Sequence, residues 1–148
     1  MWVTVARMAP DSLTALAATE LTLQTRLRAK KLLEALPASL YEGERVVHLA
    51  CYSHGGLVAA TVRRLIVMRS VDDVDEIPYK RMVSFAAGKD GRKPFMQIQT
   101  ETGEIMLKAV GSAFEDICRL VHSRMWDVSM ERLAEPAQVE PLRRAASA

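Results

Sequence analysis

Residues 45–110 have the sequence RVVHLACYSHGGLVAATVRRLIVMRSVDDVDEIPYKRMVSFAAGKDGRKPFMQIQTETGEIMLKAV. Seven short runs of Val, Ile, Leu, Met, Phe and Ala alternate there with turn residues, and at Ser112 the pattern changes to a helical period. Short apolar runs at this spacing are typical of strands joined by tight turns. The sequence therefore predicts a small antiparallel β-barrel or sandwich followed by one helix.

The positions of the turn residues divide this stretch into strands. Glycines at 53–56 and 101–104 favour tight hairpins, because glycine supplies the positive φ that such turns need. Residues 88–93, GKDGRK, are predicted as a longer charged loop. The predicted strands are 45–52, 57–62, 64–69, 74–78, 80–87, 94–100 and 104–110. The predicted core is Val47, Leu49, Leu65, Val67, Val83, Phe85, Ile98, Leu107, Phe114, Ile117 and Val121.

Helical patterns flank the strand region on both sides. Residues 11–36 contain no Gly or Pro and are rich in helix formers, which predicts an N-terminal helix with Leu16, Leu23 and Leu27 on one stripe. Ser112 is a good N-cap for the second helix, with Glu115 three residues later. The organisation predicted is an extension at 1–10, a helix at 11–36, a domain at 42–126 whose helical pattern can be followed to 134, and a disordered tail at 135–148.

Composition limits the classes of function. The chain has 148 residues and a net charge of +2 from 20 basic and 18 acidic side chains in mixed order. It lacks the one-sided field of a dedicated nucleic-acid binder, so nucleic acid is not an expected partner. Two distant cysteines and the absence of a leader or membrane-span pattern favour a soluble protein in the reducing cytoplasm.

Four local motifs occur in order before the final helix: EGE at 42–44, TVRRLIV at 61–67, IPY at 77–79 and MVSF at 82–85. In this order and spacing they resemble the bacterial pleckstrin-homology (PH)-like family, especially its YokE-like branch. The resemblance spans about 42–126. It implies a seven-stranded antiparallel barrel capped by a C-terminal helix, an α+β fold that is mainly β, used for binding or self-association without catalysis. The N-terminal helix is an addition to that fold.

Two groups of basic residues are candidates for contact with anionic lipid headgroups. Converging Lys and Arg are required for such a site, and the first hairpin loop at 53–56 contains neither. The candidates lie elsewhere and also have ordinary explanations, as a solvated loop or as favourable charges near a helix C-terminus. They are Arg26, Arg28, Lys30 and Lys31 in the first helix, and Lys89, Arg92 and Lys93 at 88–93.

The distal end of the second helix is the candidate protein interface. Trp126, Met130 and Leu133 follow at spacings of four and three, so they share one helix face beyond the part needed to cover the barrel. An exposed face of this kind would mark a contact surface, with packing on the first helix as the alternative.

No catalytic, cofactor or metal site is predicted. Cys118 and His122 share a helix face at i, i+4, but two ligands are too few and Cys118 lies on the apolar stripe, which favours a core thiol. We therefore expect a non-enzymatic module that binds a protein partner or itself. Peripheral binding of anionic lipid is the alternative.

Overall fold

Seven antiparallel strands form two sheets in the computed structural model, which describes residues 10–134. The first sheet has the order β1-β2-β3-β4 and the second β5-β6-β7. The strands are β1 (Val46–Tyr52), β2 (Gly56–Thr61), β3 (Arg64–Ser70), β4 (Asp73–Pro78), β5 (Met82–Asp90), β6 (Lys93–Thr100) and β7 (Gly103–Lys108). The predicted mainly β architecture is confirmed, because each predicted strand is present with ends that differ by at most three residues.

The segment 88–93 is a tight β-hairpin, and its prediction as a longer loop is wrong. β5 and β6 pair as far as Asp90 and Lys93, which leaves only Gly91 and Arg92 in the turn. Gly91 has a φ of 66°, a conformation that glycine adopts without a Cβ clash. Lys89, Asp90 and Lys93 therefore lie on paired strands, whereas Arg92 lies in the turn.

A β-bulge changes the side-chain pattern at the start of β5. The register shifts between Met82 and Ser84, so the chain gains one residue relative to β6. Met82 points into the core, whereas the side chain of Val83 is exposed. The prediction of Val83 as a core residue is therefore wrong. Among the other predicted core residues, Val47, Phe85 and Phe114 are only half-buried.

The N-terminal segment consists of three short helices, so the prediction of one helix over 11–36 is wrong. They are α1 (Pro10–Glu20), α2 (Leu23–Arg28) and α3 (Lys30–Ala35), followed by a 3₁₀ turn at Leu36–Ser39. Thr22 has an extended backbone and caps α2, since its hydroxyl oxygen accepts a hydrogen bond from the backbone N–H of Thr25 at 3.2 Å. A side chain that bonds to the backbone in this way offers an alternative to a continuous helix.

The C-terminal helix, α4, spans Phe114–Ala134 and packs against the strands. Its buried face includes Ile117 and Val121. Ser112 is not its N-cap: it lies two residues before the helix with a φ of 55°, and Phe114 donates its backbone N–H to the Ser112 carbonyl. The left-handed turn replaces the predicted cap geometry. Residues 1–9 of the extension predicted at 1–10, and the tail predicted at 135–148, lie outside the described residues.

Two hydrophobic cores lie on opposite faces of the first sheet. One core fills the space between the two sheets and α4, with Leu65, Met96 and Ile98 fully buried. The second lies between the outer face of the first sheet and the N-terminal helices, where Leu36, Leu49 and Ile66 are fully buried. The first sheet is therefore covered on both faces, and the N-terminal helices pack on their own strands.

A buried ion pair joins the segment before β1 to the β2–β3 hairpin. The side chains of Arg64 and Glu44 are 2% and 0% exposed. Arg64 donates to both carboxylate oxygens of Glu44, at 3.0 Å from Nε and 2.7 Å from Nη2, and its guanidinium lies 4.1 Å from the Tyr41 ring centroid. Thr61 and the Tyr41 backbone N–H complete the hydrogen bonds to Glu44. Arg64 therefore has a structural role in the fold.

Candidate interaction surfaces

An apolar groove lies between the N-terminal helices, and its size falls within the range of about 300–1,000 Å³ that is typical of ligand sites. Its volume is about 680 Å³. We call it the α1–α3 groove. The apolar lining is contributed by all three helices and the 3₁₀ turn, namely Leu13, Ala17, Leu23, Leu27, Leu33 and Pro37. Its polar lining is Thr14, Arg26, Lys30 and Glu34.

The break in the helix explains why this groove contains exposed leucines. Ala17 and Leu21 in and after α1 are buried against the sheet. After the break at Thr22, the next apolar pair, Leu23 and Leu27, is 63% and 65% exposed. Large apolar side chains at i and i+4 form one patch on a helix surface. The stripe that was predicted to be buried is therefore divided, and its second half faces solvent.

The charge in the α1–α3 groove is mainly positive. Arg26 and Lys30 line it, with Glu34 as the acidic residue among its lining side chains. The Arg26 Nε atom is buried and has no acceptor among residues 10–134. A buried donor without an acceptor is costly, so an acidic group that reached this atom would be stabilised. Arg28 and Lys31 are exposed nearby in the sequence.

The distal part of α4 carries a second exposed apolar surface. Trp126 is 66% exposed and Met130 is 47% exposed, one helical turn apart. Asp127, beside Trp126, is also exposed and lies 3.8 Å from Arg124. The position of the Leu133 side chain is outside the described part of the structure, although its backbone belongs to α4. We call Trp126 and Met130 the α4 patch.

The second basic group is on the β5–β6 hairpin, away from the groove residues. Lys89 and Lys93 line a cavity of about 380 Å³, and Arg92 is exposed in the turn. Lys108 of β7 lines the same cavity and was missed from the sequence. The strand register could have revealed it, because Lys108 pairs with Phe95 of β6. Arg26 and Lys30 of the first group and Lys89 and Lys93 of the second therefore line different cavities.

The two thiols are poorly suited to nucleophilic chemistry. Cys118 packs against the core, and burial raises its pKa to about 11. Burial also raises the pKa of Cys51. His122 contacts the edge of Phe85, with ring centroids 5.1 Å apart. Because the thiolate is the reactive form, both cysteines are protonated and weakly reactive near neutral pH.

Two sheets of four and three antiparallel strands with a C-terminal helix match the arrangement that the sequence resemblance implied. The fold is PH-like. A solved structure of a DUF1696 family protein with a pleckstrin-homology domain from Shewanella loihica PV-4 is similar, with a TM-score of 0.49 and 14% identity. The similarity covers 66% of this chain and 96% of that one.

Comparison with protein-family models gives no match, and comparison with curated proteins gives none either. Between residues 10 and 134, no helix has both the length and the apolar character needed to cross a membrane.

Proposed function

We propose that this chain is a non-enzymatic PH-like module that associates with a second copy of itself. In this proposal, the α4 patch of one chain binds in the α1–α3 groove of the other. The observation that carries it is the presence of two complementary exposed apolar surfaces on one chain, an aromatic helix face and a leucine-lined groove. Assignment to the YokE-like branch rests on the motifs between 42 and 126 and is part of the same proposal.

Burial of these side chains would supply the free energy of association. Full burial of one large apolar side chain contributes about 1.5–3 kcal/mol, and Leu23, Leu27 and Trp126 each still expose about two thirds of their surface. Association also costs translational and rotational freedom, so a single groove contact would be weak. A two-fold dimer repeats the contact twice, which favours a closed pair over a chain of molecules.

Charge supports the same occupant of the groove. The groove presents Arg26 and Lys30, whereas the α4 patch is adjacent to the exposed carboxylate of Asp127. A carboxylate at this position can accept hydrogen bonds from an Arg that has an unused donor. Complementary charge would fix the orientation of the helix in the groove more than it would add affinity.

One feature favours the lipid alternative. Leu23 and Leu27 are exposed on the helix that also carries the exposed side chain of Arg28, with Lys30 and Lys31 following. Apolar side chains beside basic ones are typical of peripheral contact with anionic membranes. Such contact would require the groove residues but not Trp126, which separates it from self-association.

The test is sedimentation velocity of the full chain over a wide range of concentration, at low and high salt. We expect a dimer that persists at high salt. Replacement of a hot-spot aromatic costs about 2 kcal/mol or more per contact. Trp126→Ala changes both contacts of a two-fold dimer, so it should weaken dimerisation by about 4 kcal/mol, or roughly a thousandfold. Leu27→Gln should have a comparable effect. Val83→Thr is the matched control, because Val83 is equally exposed but lies on neither surface.

Mixing the two variants tests the geometry of the contact. The Leu27→Gln chain retains the α4 patch and the Trp126→Ala chain retains the groove, so a mixture can form one intact contact. We expect each variant alone to be monomeric and the mixture to recover part of the dimer. A contact between two α4 helices would give no such recovery and would contradict the proposal.

Two further results would contradict self-association. One is a wild-type chain that stays monomeric at the highest concentration. The other is a monomeric wild-type chain that pellets with vesicles containing phosphatidylserine but not with vesicles of phosphatidylcholine alone, together with a Trp126→Ala variant that pellets to the same extent. The second result would support the lipid alternative. Circular dichroism of each variant confirms that it remains folded.

A further inference from the structure

Three potential metal ligands from distant parts of the sequence meet on one side of the fold. Glu20 is the last residue of α1, His48 is in β1, and Asp116 is the third residue of α4. His48 Nδ1 lies 2.7 Å from Glu20 Oε1. One ligand atom from each residue lies within 4.8 Å of the other two.

Two carboxylates, those of Glu20 and Asp116, lie near the single imidazole of His48. Glu20 and His48 form a partly buried pair, with side chains 14% and 28% exposed. The carboxylate of Asp116 approaches the same pair and bonds otherwise to Arg119, which is 72% exposed. An exposed ion pair of this kind contributes little. Asp116 can therefore exchange Arg119 for a bound cation at little cost.

We propose that Glu20, His48 and Asp116 bind one divalent transition-metal ion, and that Zn²⁺ is the appropriate probe. An imidazole nitrogen selects transition metals over Mg²⁺ and Ca²⁺, which prefer oxygen ligands, and two carboxylates complete a common N/O set. Tetrahedral ligands at about 2.1 Å from zinc lie about 3.4 Å apart. The hydrogen-bonded pair of His48 and Glu20, now 2.7 Å apart, would therefore open slightly, and Asp116 would move towards the ion from its place within 4.8 Å of both. Water fills the fourth position.

The ion would join three elements of the fold, of which α1 and β1 are already linked by the pair of Glu20 and His48. α1 belongs to the outer helical layer, β1 to the first sheet, and α4 to the cap over the inner core. A metal held by all three fixes the C-terminal end of α1 against the strands. This inference is independent of the proposed self-association, because none of the three residues belongs to the α1–α3 groove lining or the α4 patch.

The experiment is isothermal titration of Zn²⁺ into the full chain, prepared without a polyhistidine tag and freed of metal with EDTA. We expect one ion per chain and a higher Tm that EDTA reverses. Loss of one ligand should weaken affinity at least about tenfold, in His48→Gln and in Asp116→Asn alike. His122→Gln is the matched control, since it removes an exposed histidine from α4 and should leave the affinity unchanged.

Substitution with Co²⁺ identifies the ligand types directly and does not depend on how the variants fold. We expect d–d bands without an intense sulfur-to-cobalt charge-transfer band, because the proposed site contains no thiolate. A charge-transfer band, or loss of binding in His122→Gln but not in His48→Gln, would place the ion at Cys118 and His122 and overturn the proposal. Absence of Zn²⁺ binding by wild type would overturn it as well, leaving Glu20 and His48 as an ordinary ion pair.

Discussion

Replacement of Glu44 by Gln should destabilise the fold strongly. The carboxylate is fully buried and accepts hydrogen bonds from Arg64, Thr61 and the Tyr41 backbone N–H. Gln has nearly the same shape, but its NH₂ group would face these donors, and Arg64 would lose its buried counter-charge. Removal of one partner from a buried ion pair costs about 3–5 kcal/mol. For a domain of this size, that loss lowers Tm by roughly 10–20 °C.

The effect of Glu44→Gln should depend on pH. Burial raises the pKa of Glu44, but the hydrogen bonds from Arg64, Tyr41 and Thr61 lower it more, so the pKa lies below its ordinary value of 4.5. A carboxylate with a depressed folded-state pKa contributes stability above its unfolded pKa and loses it as pH falls through the folded value. The difference between wild type and Glu44→Gln should therefore be constant above about pH 5 and shrink at lower pH.

Urea denaturation followed by tryptophan fluorescence and circular dichroism measures both effects. Glu76→Gln is the matched control, because Glu76 contacts the same Arg64 but its side chain is 44% exposed. We expect it to cost less than about 1 kcal/mol. A loss below about 1 kcal/mol for Glu44→Gln at neutral pH, or a loss of equal size in both variants, would refute the assignment of a buried, structurally required pair.

Three further predictions concern the helices and the thiol. Phe114→Ala should reduce the free energy of unfolding, measured in urea, by about 2–3 kcal/mol. This is less than the roughly 3–5 kcal/mol expected for a fully buried ring, because Phe114 is half-buried. A loss below about 1 kcal/mol would mean that the ring does not seal the inner core. Removal of residues 1–36 should expose the apolar outer face of the first sheet, lowering Tm and increasing binding of the dye ANS, and a truncated chain that melts like the full one would contradict this. Cys118 should react with iodoacetamide at pH 8 about a hundredfold more slowly than an ordinary thiol, since its pKa is about 11 and that of an ordinary cysteine is 9.0. A rate equal to that of glutathione would contradict its burial.

The strands were predictable because their signals are local. Turn residues marked their ends, and alternation along β6 separated Met96 and Ile98 from the intervening glutamine at 97. The bulge in β5 was not predictable, since one inserted residue changes which face every following side chain occupies, and nothing in the MVSF motif specifies its position. Val83 was assigned to the wrong face for this reason.

The helical content of the N-terminal segment could be predicted, but its division into three helices could not. Its residues favour helix throughout, and intrinsic propensity differences are small compared with tertiary packing. Thr25 donates hydrogen bonds to the hydroxyl and carbonyl oxygens of Thr22, and these bonds begin a new helix at this point. After the break, Leu23 and Leu27 are exposed. Helical spacing alone placed both leucines on the buried stripe.

The candidate sites differ in whether they could be predicted from the sequence. Trp126 and Met130 were found because they lie on one helix, where spacing gives the shared face directly. Glu20, His48 and Asp116 were not found, because they are separated by 28 and 68 residues and meet only through the packing of α1 and α4 on β1. Spacing within one element cannot reveal a site built from three.

The pattern of β2 and β3 also indicates that helices cover the outer face of the first sheet. A sheet with one wet face alternates apolar and polar side chains, whereas β2 is buried at every position and β3 through its first five. An unbroken apolar run therefore requires cover on both faces, and α1 to α3 supply it on the outer one. Because those helices complete a core, the α1–α3 groove is already formed in the unbound chain. A preformed groove has less conformational entropy to lose on binding, which makes its exposed leucines better suited to specific association than the same side chains on a mobile arm.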